Sequence, residues 1–249
     1  MPDIVIETPP ARLHFRDLEW DTEYFGLPSY MLDAERSVLQ ESPALGQAIP
    51  AALQGTFSAA RIDAAADPQV FMMFYRSGFY SVDTEITLRY VPEPSVVKPR
   101  TTGVHVEEFK KNEGLPYEKL GGVFSFTRFH YDPNIGKARA DRLWVEYIRN
   151  FQPSAEARLF VARCDERVAG CFTVLAKGSF HVISFVAVLD EFKGRSVGAA
   201  LVSAVVANCG AAGLLTETQA RNVSALNFYI RNGFRRIDKT SMVMHRWDK

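Results

Sequence analysis

The residues with the clearest chemical meaning form the stretch KGRSVGA, from Lys193 to Ala199. Gly194 and Gly198 frame this stretch, and Lys193 and Arg195 add two positive charges. A glycine-containing loop between a strand and a buried helix presents backbone N–H groups, and the helix dipole there also favours negative charge. The stretch therefore predicts a pyrophosphate-binding loop. A plain strand-to-helix turn without a ligand is the alternative.

The same residues match G-x-S-x-G, the nucleophile elbow of α/β-hydrolases, with Ser196 as the nucleophile. That elbow requires a sharp turn directly out of a strand, whereas LDEFK separates the strand VISFVAV from Gly194. The histidine of a triad would have to be His245, in a terminal strand. We therefore favour the anion-binding interpretation.

The composition is that of a globular protein with one large domain or two small ones, since 47% of the 249 residues are hydrophobic and 23% are charged. The 29 basic and 29 acidic residues balance, which argues against nucleic acid as a partner. The N-terminal MPDIVIETPP lacks the basic and apolar regions of a signal peptide, and no apolar stretch approaches the roughly 20 residues of a membrane helix. We expect a cytoplasmic protein without a membrane partner.

The helices and strands that position the loop are predicted from the positions of proline and glycine and from the spacing of apolar residues. The proline-rich segment 91–103 predicts an extended linker, centred on 96–103, between domains at 1–95 and 104–249. In the second part, apolar residues spaced from Ala140 to Phe151 predict an amphipathic helix. The full order reads β-α-β-β-β-α-β-α-β, which predicts an α+β, or mixed α/β, fold with helices on the faces of a mixed sheet.

Two similar stretches suggest an internal repeat: FYRSGFYSVDT, from Phe74 to Thr84, and FYIRNGFRRIDKT, from Phe228 to Thr240. They align with Gly78 opposite Gly233. A helix stopped by glycine, an aromatic residue and a strand would then close each domain. Because Phe74 stands where the second copy has Tyr229, we expect the first copy to be a scaffold without the site.

The two motifs together resemble the GNAT acetyltransferase superfamily over residues 104–249. That family binds the pyrophosphate of acetyl-CoA with a loop of the pattern (Q/R)-x-x-G-x-(G/A). The three specified positions are occupied here by Lys193, Ser196 and Gly198. Lysine and serine are departures from the pattern. The downstream motif N-x-x-A-x-x-x-Y-x-x-x-G-F is matched throughout, by Asn222, Ala225, Tyr229, Gly233 and Phe234. The resemblance implies a GNAT-type mixed sheet flanked by helices, and acetyl-CoA as co-substrate.

The resemblance also assigns roles to residues. It implies that Tyr229 is the general acid on the leaving sulfur, although a core tyrosine with one hydrogen bond is the alternative. The strand from Phe185 to Val188 would offer backbone groups to the pantetheine arm and the thioester oxygen. The cofactor-binding residues are then Phe185, Val186, Ala187, Val188, Lys193, Gly194, Arg195, Ser196, Val197, Gly198, Ala199, Asn222 and Tyr229.

The general base is open. Glu217 at a strand end is a candidate, and a structural or solvated carboxylate is its alternative. His130, His181 and Asp132 are weaker candidates. No His, Asp or Glu cluster has metal-ligand spacing, so no metal is expected.

A closer resemblance is to the nucleotide-sugar N-acetyltransferases typified by TDP-fucosamine acetyltransferase, through LEWDTEYFGLP, FTRFHYDPN and TETQARN. It implies a TDP-4-amino-4,6-dideoxyhexose substrate and a smaller N-terminal domain that resembles a partial GNAT fold. Arg128 would meet the nucleotide pyrophosphate. Phe126, Phe129 and Tyr131 would line the base, although their alternation equally suits a half-buried strand. Trp20 and Tyr24 would close a cleft between the domains.

Three alternatives stay open at this point. The enzyme would acetylate another small amine or a protein amino group, or the chain would be a non-catalytic acyl-CoA-binding regulatory module. A homodimer is implied by resemblance alone.

Overall fold

The computed structural model describes residues 1–92, 103–111, 113–210 and 213–248. The chain forms two compact units. Unit 1 comprises Met1–Glu85, Tyr131–Asn134 and Thr240–Lys249, and unit 2 comprises Ile86–His130 and Ile135–Lys239. The units thus interleave along the chain, whereas the division into 1–95 and 104–249 stays a prediction. Of the predicted linker 96–103, only Gly103 lies within the described residues.

Unit 1 contains a mixed sheet with strand order β1-β2-β3-β4-β11. Strands β1 to β3 are antiparallel, β3 and β4 are parallel, and the second part of β11 pairs antiparallel with β4. Its helices and strands, in chain order, are β1 Ile4–Thr8, β2 Ala11–Asp17, α1 Glu19–Phe25, β3 Ser29–Leu32, α2 Pro43–Ala52, β4 Phe57–Asp63, α3 Pro68–Arg76 and the first part of β5 Tyr80–Tyr90.

In unit 2 the strands of the mixed sheet follow the order β5-β10-β9-β8-β7-β6. Strands β6 to β9 are antiparallel, and β9 and β10 are parallel. The elements are β6 Val104–Phe109, α4 Tyr117–Gly121, α5 Lys137–Asn150, β7 Ala157–Cys164, β8 Arg167–Lys177, β9 Phe180–Val188, α6 Val197–Cys209, β10 Leu214–Gln219, α7 Val223–Arg231 and β11 Phe234–Trp247, whose second part belongs to unit 1. The predicted mixed fold with helices flanking the sheet is confirmed.

Each unit has its own apolar core. In unit 2, α5 buries Leu143 and Ile148 on one stripe, as its periodicity predicts, and α6 buries residues around most of its circumference. In unit 1, Phe15 and Phe74 are fully buried and pack with Met244 of β11. None of the described helices has the length and apolar character that a membrane span requires.

The element order repeats along the chain, in agreement with the sequence similarity. Both β3-α2-β4-α3-β5 and β9-α6-β10-α7-β11 run strand, helix, parallel strand, helix, strand. Gly78 and Gly233 follow the last helix of each series with φ of +86° and +97°, a region that glycine enters without strain. The expectation that the first copy is a scaffold without the site stays a prediction.

A buried carboxylate organises the end of unit 1. Asp132 is 2% exposed and accepts hydrogen bonds from Tyr80 Oη at 2.6 Å and Trp247 Nε1 at 2.8 Å, and His245 Nδ1 lies 2.7 Å away. Burial alone would raise the pKa of Asp132, but hydrogen bonds from His245, Tyr80 and Trp247 hold the pKa below its ordinary value. Asp132 is therefore a structural anion in unit 1.

Candidate active site

A cavity of about 380 Å³ opens in unit 2 where β9 and β10 part. The two strands pair through His181–Ile183 and Leu214–Thr216, and both continue beyond this register. Residues of both strands beyond this paired register line the cavity. Its lining residues are Val123, Phe124, Ser125, Phe126, Thr127, Trp144, Ile183, Ser184, Val186, Val188, Lys193, Glu217, Thr218, Gln219, Asn222, Ser224, Ala225, Phe228 and Tyr229.

A β-bulge shapes the strand that borders this cavity. Thr173 of β8 pairs with Phe185, and Val174 pairs with Ile183, so that Ser184 is an extra residue in β9. Bulges re-aim side chains and interrupt a ladder. Here the bulged Ser184 lines the cavity, and its hydroxyl lies 2.8 Å from Thr173 Oγ1 and 3.3 Å from Tyr147 Oη.

The phenol of Tyr229 is buried at the wall of the cavity. Its side chain is 4% exposed and packs against the rings of Phe228 and Phe234. Burial raises the pKa of Tyr229 to about 12, and the neighbouring Thr216 hydroxyl acts in the opposite direction. The phenol therefore keeps its proton at neutral pH and is available as a donor.

The helix that carries Tyr229 begins as the sequence predicts. The side chain of Asn222 accepts a hydrogen bond from Ala225 N at 3.1 Å and caps α7, and Asn222 also lines the cavity. A cap residue with a side chain at the start of a helix fixes the position of the first turn. Asn222 thus places α7, and with it Tyr229, against the cavity.

The glycine-containing loop enters α6 with an unusual backbone. Gly194 has φ of +78°, and Ser196, at the N-cap of α6, has φ of +62° without capping the helix through its hydroxyl. The N–H groups of the first helical turn have no carbonyl partner within their own helix. Lys193 lines the cavity, and its ammonium contacts the Asp190 carboxylate at 2.6 Å. The arrangement retains the features of an anion-binding loop.

The nucleophile-elbow interpretation does not fit this loop. A 3-10 turn at Asp190–Phe192 separates β9 from Gly194, so the strand does not lead directly into the turn. His245, which a triad would require, is fully buried in unit 1 with its Nδ1 against Asp132.

Gly198 serves a packing contact that the sequence did not reveal. A Cβ at this position would lie 2.6 Å from the ring of Phe228, so glycine allows α6 and α7 to approach closely. Because Phe228 lines the cavity, the contact sets one wall of the site. The predicted contact of Gly198 with a cofactor stays a prediction.

The structure brings several predicted site residues together at the cavity: Phe126, Val186, Val188, Lys193, Glu217, Asn222 and Tyr229. Phe185 and Ala187, by contrast, are each 1% exposed in the core of unit 2, because successive side chains of a strand point to opposite faces. The exposed loop residues Gly194, Arg195 and Ser196 and the start of α6 at Val197 and Ala199 follow Lys193 directly.

Other predicted substrate residues lie elsewhere. The Arg128 guanidinium lies over the ring of Phe129, 4.5 Å from its centroid. Trp20 and Tyr24 stack on each other in α1 of unit 1, and Tyr131 also belongs to unit 1. The strand proposed as an alternative for Phe126–Tyr131 is wrong, because these described residues form turns. His130 is held by Thr127 and Asp141.

Sequence reasoning missed residues that only long-range pairing brings to the cavity. Trp144 falls within the helix predicted from Ala140 to Phe151 and Ser184 within the strand VISFVAV, and neither pattern indicates a role in the site. A bulge leaves no local signal in SFHVISFVAV, because it depends on the register with β8. The stretch TETQ did mark the other wall, since Glu217, Thr218 and Gln219 all line the cavity.

The lining fits a CoA thioester. Val186 and Val188 give an apolar flank, and the loop after Lys193 gives N–H groups and positive charge for phosphates. Trp144 Nε1 is buried and has no hydrogen-bond partner among the described residues. Unsatisfied buried donors are unusual in folded proteins and suit the polar atoms of a ligand. Among the described residues, no group of three or more metal-ligating side chains forms a metal site.

Residues 155–236 match the family model of the acetyltransferase (GNAT) domain. The match covers about a third of the chain and supports a GNAT-type acetyltransferase domain there. This matched segment runs from β7 into β11 and includes the loop, Glu217, Asn222 and Tyr229. A search of curated proteins gives no match.

Solved structures share the fold at low sequence identity. A GCN5-related N-acetyltransferase from Sphaerobacter thermophilus is 14% identical, with a TM-score of 0.60, over 94% of this chain and 76% of that chain. A GCN5-related N-acetyltransferase from Kribbella flavida is 13% identical, with a TM-score of 0.58, over 98% and 89%. A tandem GNAT protein from the clavulanic acid biosynthesis pathway is 11% identical, with a TM-score of 0.55, over 99% and 82%.

These comparisons confirm the predicted GNAT resemblance and the fold. The domain and its fold are those of an acetyl-CoA-dependent acetyltransferase. None of the comparisons supports a particular acceptor amine, so the nucleotide-sugar substrate stays a prediction.

Proposed function

We propose that the protein transfers the acetyl group of acetyl-CoA to the amino group of a nucleotide-linked sugar of the TDP-4-amino-4,6-dideoxyhexose type. The observation that carries the proposal is the pairing, in one cavity, of a protonated buried phenol with a carboxylate. Tyr229 supplies the phenol, and Glu217 is the carboxylate among the described lining residues. Such a pair suits attack by an amine and departure of a thiolate.

The co-substrate supplies an activated carbonyl as a thioester, and the protein manages charge and protons around it. Lys193 and the N–H groups that lead into α6 hold the phosphates. Glu217 holds the amino group and accepts the proton that nitrogen releases as the N–C bond forms. Tyr229 gives its proton to sulfur as the C–S bond breaks, and solvent then exchanges protons with both side chains. The products are an amide and a free thiol.

The choice of a nucleotide-linked sugar rests on residues rather than on the comparisons. LEWDTEYFGLP, FTRFHYDPN and TETQARN resemble the corresponding stretches of nucleotide-sugar N-acetyltransferases. Phe126, from the second stretch, is 59% exposed and lines the same cavity as Trp144, so aromatic surface is available for a nucleobase. Arg128 from the same stretch lies over the Phe129 ring outside the cavity lining, so its contact with a pyrophosphate stays a prediction from the sequence.

Calorimetry with acetyl-CoA, followed by a thiol-release assay, tests the function. We expect one-site binding in the micromolar range and thiol release with TDP-4-amino-4,6-dideoxygalactose. The matched control is the TDP-sugar with a hydroxyl in place of the amine, which should release no thiol. Absence of acetyl-CoA binding would overturn the enzyme assignment. Thiol release with a lysine peptide or simple amines, but not with the amino sugar, would replace the acceptor by another amine.

A regulatory module makes a different prediction in the same experiment. It would bind acetyl-CoA without releasing thiol with any amine. Lys193 and Ser196 depart from the family's loop pattern, and this departure favours the regulatory module. Asn222 and Tyr229 match the family's second motif, and this match favours the enzyme.

A further inference from the structure

We propose that the side chain of Ser184 is a catalytic hydrogen-bond donor to the thioester carbonyl oxygen, and that Thr173 and Tyr147 orient its hydroxyl. The inference rests on the proposed acetyl transfer and deepens it. The family resemblance implies backbone groups of Phe185–Val188 as partners of the carbonyl and implies no role for the side chain of Ser184. The structure supplies three observations that point to its side chain.

The first observation is position. Ser184 is the extra residue of the β9 bulge, and its side chain lines the cavity that also contains Tyr229 and Glu217. A bulge leaves its extra residue outside the ladder. Ser184 shares the cavity with Val186 and Val188, and it lies where β9 separates from β10, just after the last paired residue, Ile183.

The second observation is the hydrogen-bond partners of this hydroxyl. Ser184 Oγ lies 2.8 Å from Thr173 Oγ1 and 3.3 Å from Tyr147 Oη. A serine hydroxyl has one proton to donate and two lone pairs that accept. If Thr173 and Tyr147 both donate, the lone pairs of Ser184 are filled and its proton is left for a group in the cavity.

The third observation is the surroundings of this chain of hydroxyls. Thr173 is fully buried, and the rings of Tyr147 and Phe185 stack at 5.7 Å between centroids. Trp144, whose Nε1 has no partner in the described part of the chain, packs edge-on to Tyr147. Hydrogen bonds in such apolar surroundings are stronger than in water, and linked hydroxyls polarise one another.

This arrangement fits the charge that develops during acetyl transfer. As nitrogen bonds to the carbonyl carbon, the π electrons move to oxygen, and they return when the C–S bond breaks. Ser184 donates a hydrogen bond to that oxygen throughout and transfers no proton. Glu217 and Tyr229 retain their proton-transfer roles, so the overall reaction is unchanged. Donors fixed before the reaction lower the barrier because they need no reorganisation.

The decisive variants are Ser184→Ala and Ser184→Thr. We expect Ser184→Ala to lower kcat about 100-fold while KM for acetyl-CoA rises by no more than about fivefold, and Ser184→Thr to recover much of the loss because it restores a hydroxyl. Ser203→Ala is the matched control, since Ser203 is an exposed serine in α6 that bonds to Ala199 O. Thermal unfolding of each variant verifies that the fold is retained.

A binding measurement tests the same contact without turnover. Free CoA lacks the acetyl carbonyl, so the wild-type protein should bind acetyl-CoA more tightly than CoA. Ser184→Ala should reduce this ratio about fivefold, as expected for one hydrogen bond of about 1 kcal/mol. A ratio that Ser184→Ala leaves unchanged, or a kcat within twofold of wild type, overturns the inference.

The positioning residues are tested by coupling. Thr173→Val and Tyr147→Phe should each lower kcat about threefold to tenfold, and neither should lower it further once Ser184 is alanine. Thr173→Ser keeps the hydroxyl and should retain activity. Full additivity with Ser184→Ala would contradict an orienting role. If no amine releases thiol, the proposed function fails, while the acetyl-CoA to CoA binding ratio still decides the role of Ser184.

Discussion

Tyr229 and Phe74 occupy matching places after their respective helix starts, yet their environments differ. Phe74 is fully buried in the core of unit 1, whereas the phenol of Tyr229 borders a cavity. The two positions thus differ by one hydroxyl group, which only Tyr229 has available for proton transfer. Because burial raises the pKa of Tyr229 to about 12, deprotonation does not limit this donor across physiological pH.

Replacing Tyr229 by phenylalanine removes only this hydroxyl. We expect kcat to fall by about 100-fold or more, the lower range for loss of a general acid, with acetyl-CoA affinity within twofold. Steady-state thiol release and calorimetry measure the two quantities. Tyr147→Phe, which also removes a phenol near the cavity, is the matched control and should lose far less. Full activity of Tyr229→Phe would remove Tyr229 from the proton-transfer role.

The loop that leads into α6 keeps its backbone conformation although one residue departs from the family pattern. Ser196 stands where the family pattern has glycine, and it keeps the left-handed conformation, with φ of +62°, that glycine would adopt. For a non-glycine residue this conformation costs about 1–2 kcal/mol. The fold holds Ser196 there because Val197 and Gly198, which follow it, are buried in unit 2.

Ser196→Gly should therefore relieve strain. Glycine loses more conformational entropy on folding than serine does, and this loss offsets part of the relieved strain. The net gain in the free energy of unfolding should therefore be about 0.5–1 kcal/mol. Acetyl-CoA affinity should be equal or higher, since the backbone conformation is retained. Ser203→Gly in the interior of α6 is the matched control and should instead lose about 0.5 kcal/mol. Denaturant unfolding measures both variants, and a destabilised Ser196→Gly protein would contradict this account.

At the scale of the whole molecule, the two compact units do not correspond to two consecutive segments of chain. The core of unit 1 includes Met244, and β4 pairs with β11 from Ser241 to Trp247. Arg246 in the same strand donates to the carbonyl oxygen of Leu53 at 2.6 Å. Residues from the C-terminal end therefore complete the N-terminal unit.

The fragment 1–95 should consequently not fold cooperatively by itself, because it lacks β11 and the Asp132 network. Within the full chain, Met244→Ala should lower the free energy of unfolding by about 2–5 kcal/mol. Ile237→Ala, in the same strand but 63% exposed, is the matched control and should change it by less than about 0.5 kcal/mol. Circular dichroism and thermal unfolding provide the measurements. A sharp transition for fragment 1–95 would show that its own residues suffice.

The sequence by itself determined the local structure and much of the candidate site. The helix stripe in α5, the Asn222 cap and the glycine stop at Gly233 all depend on residues within a few positions of one another. The order of the elements predicted a mixed sheet with helices, and the resemblance of the two motifs implied the GNAT fold. Tyr229 and the candidate base Glu217 line one cavity, and their catalytic roles stay predictions.

Only the tertiary structure decided what depends on pairing between distant segments. The bulge that leaves Ser184 unpaired exists because of the register between β8 and β9, and the membership of Met244 in unit 1 depends on the pairing of β11 with β4. The buried Asp132 becomes a structural anion only when residues more than a hundred positions away donate to it. Strand register and partner choice are set by the summed hydrogen bonds and burial of the whole sheet, which no short stretch of sequence encodes.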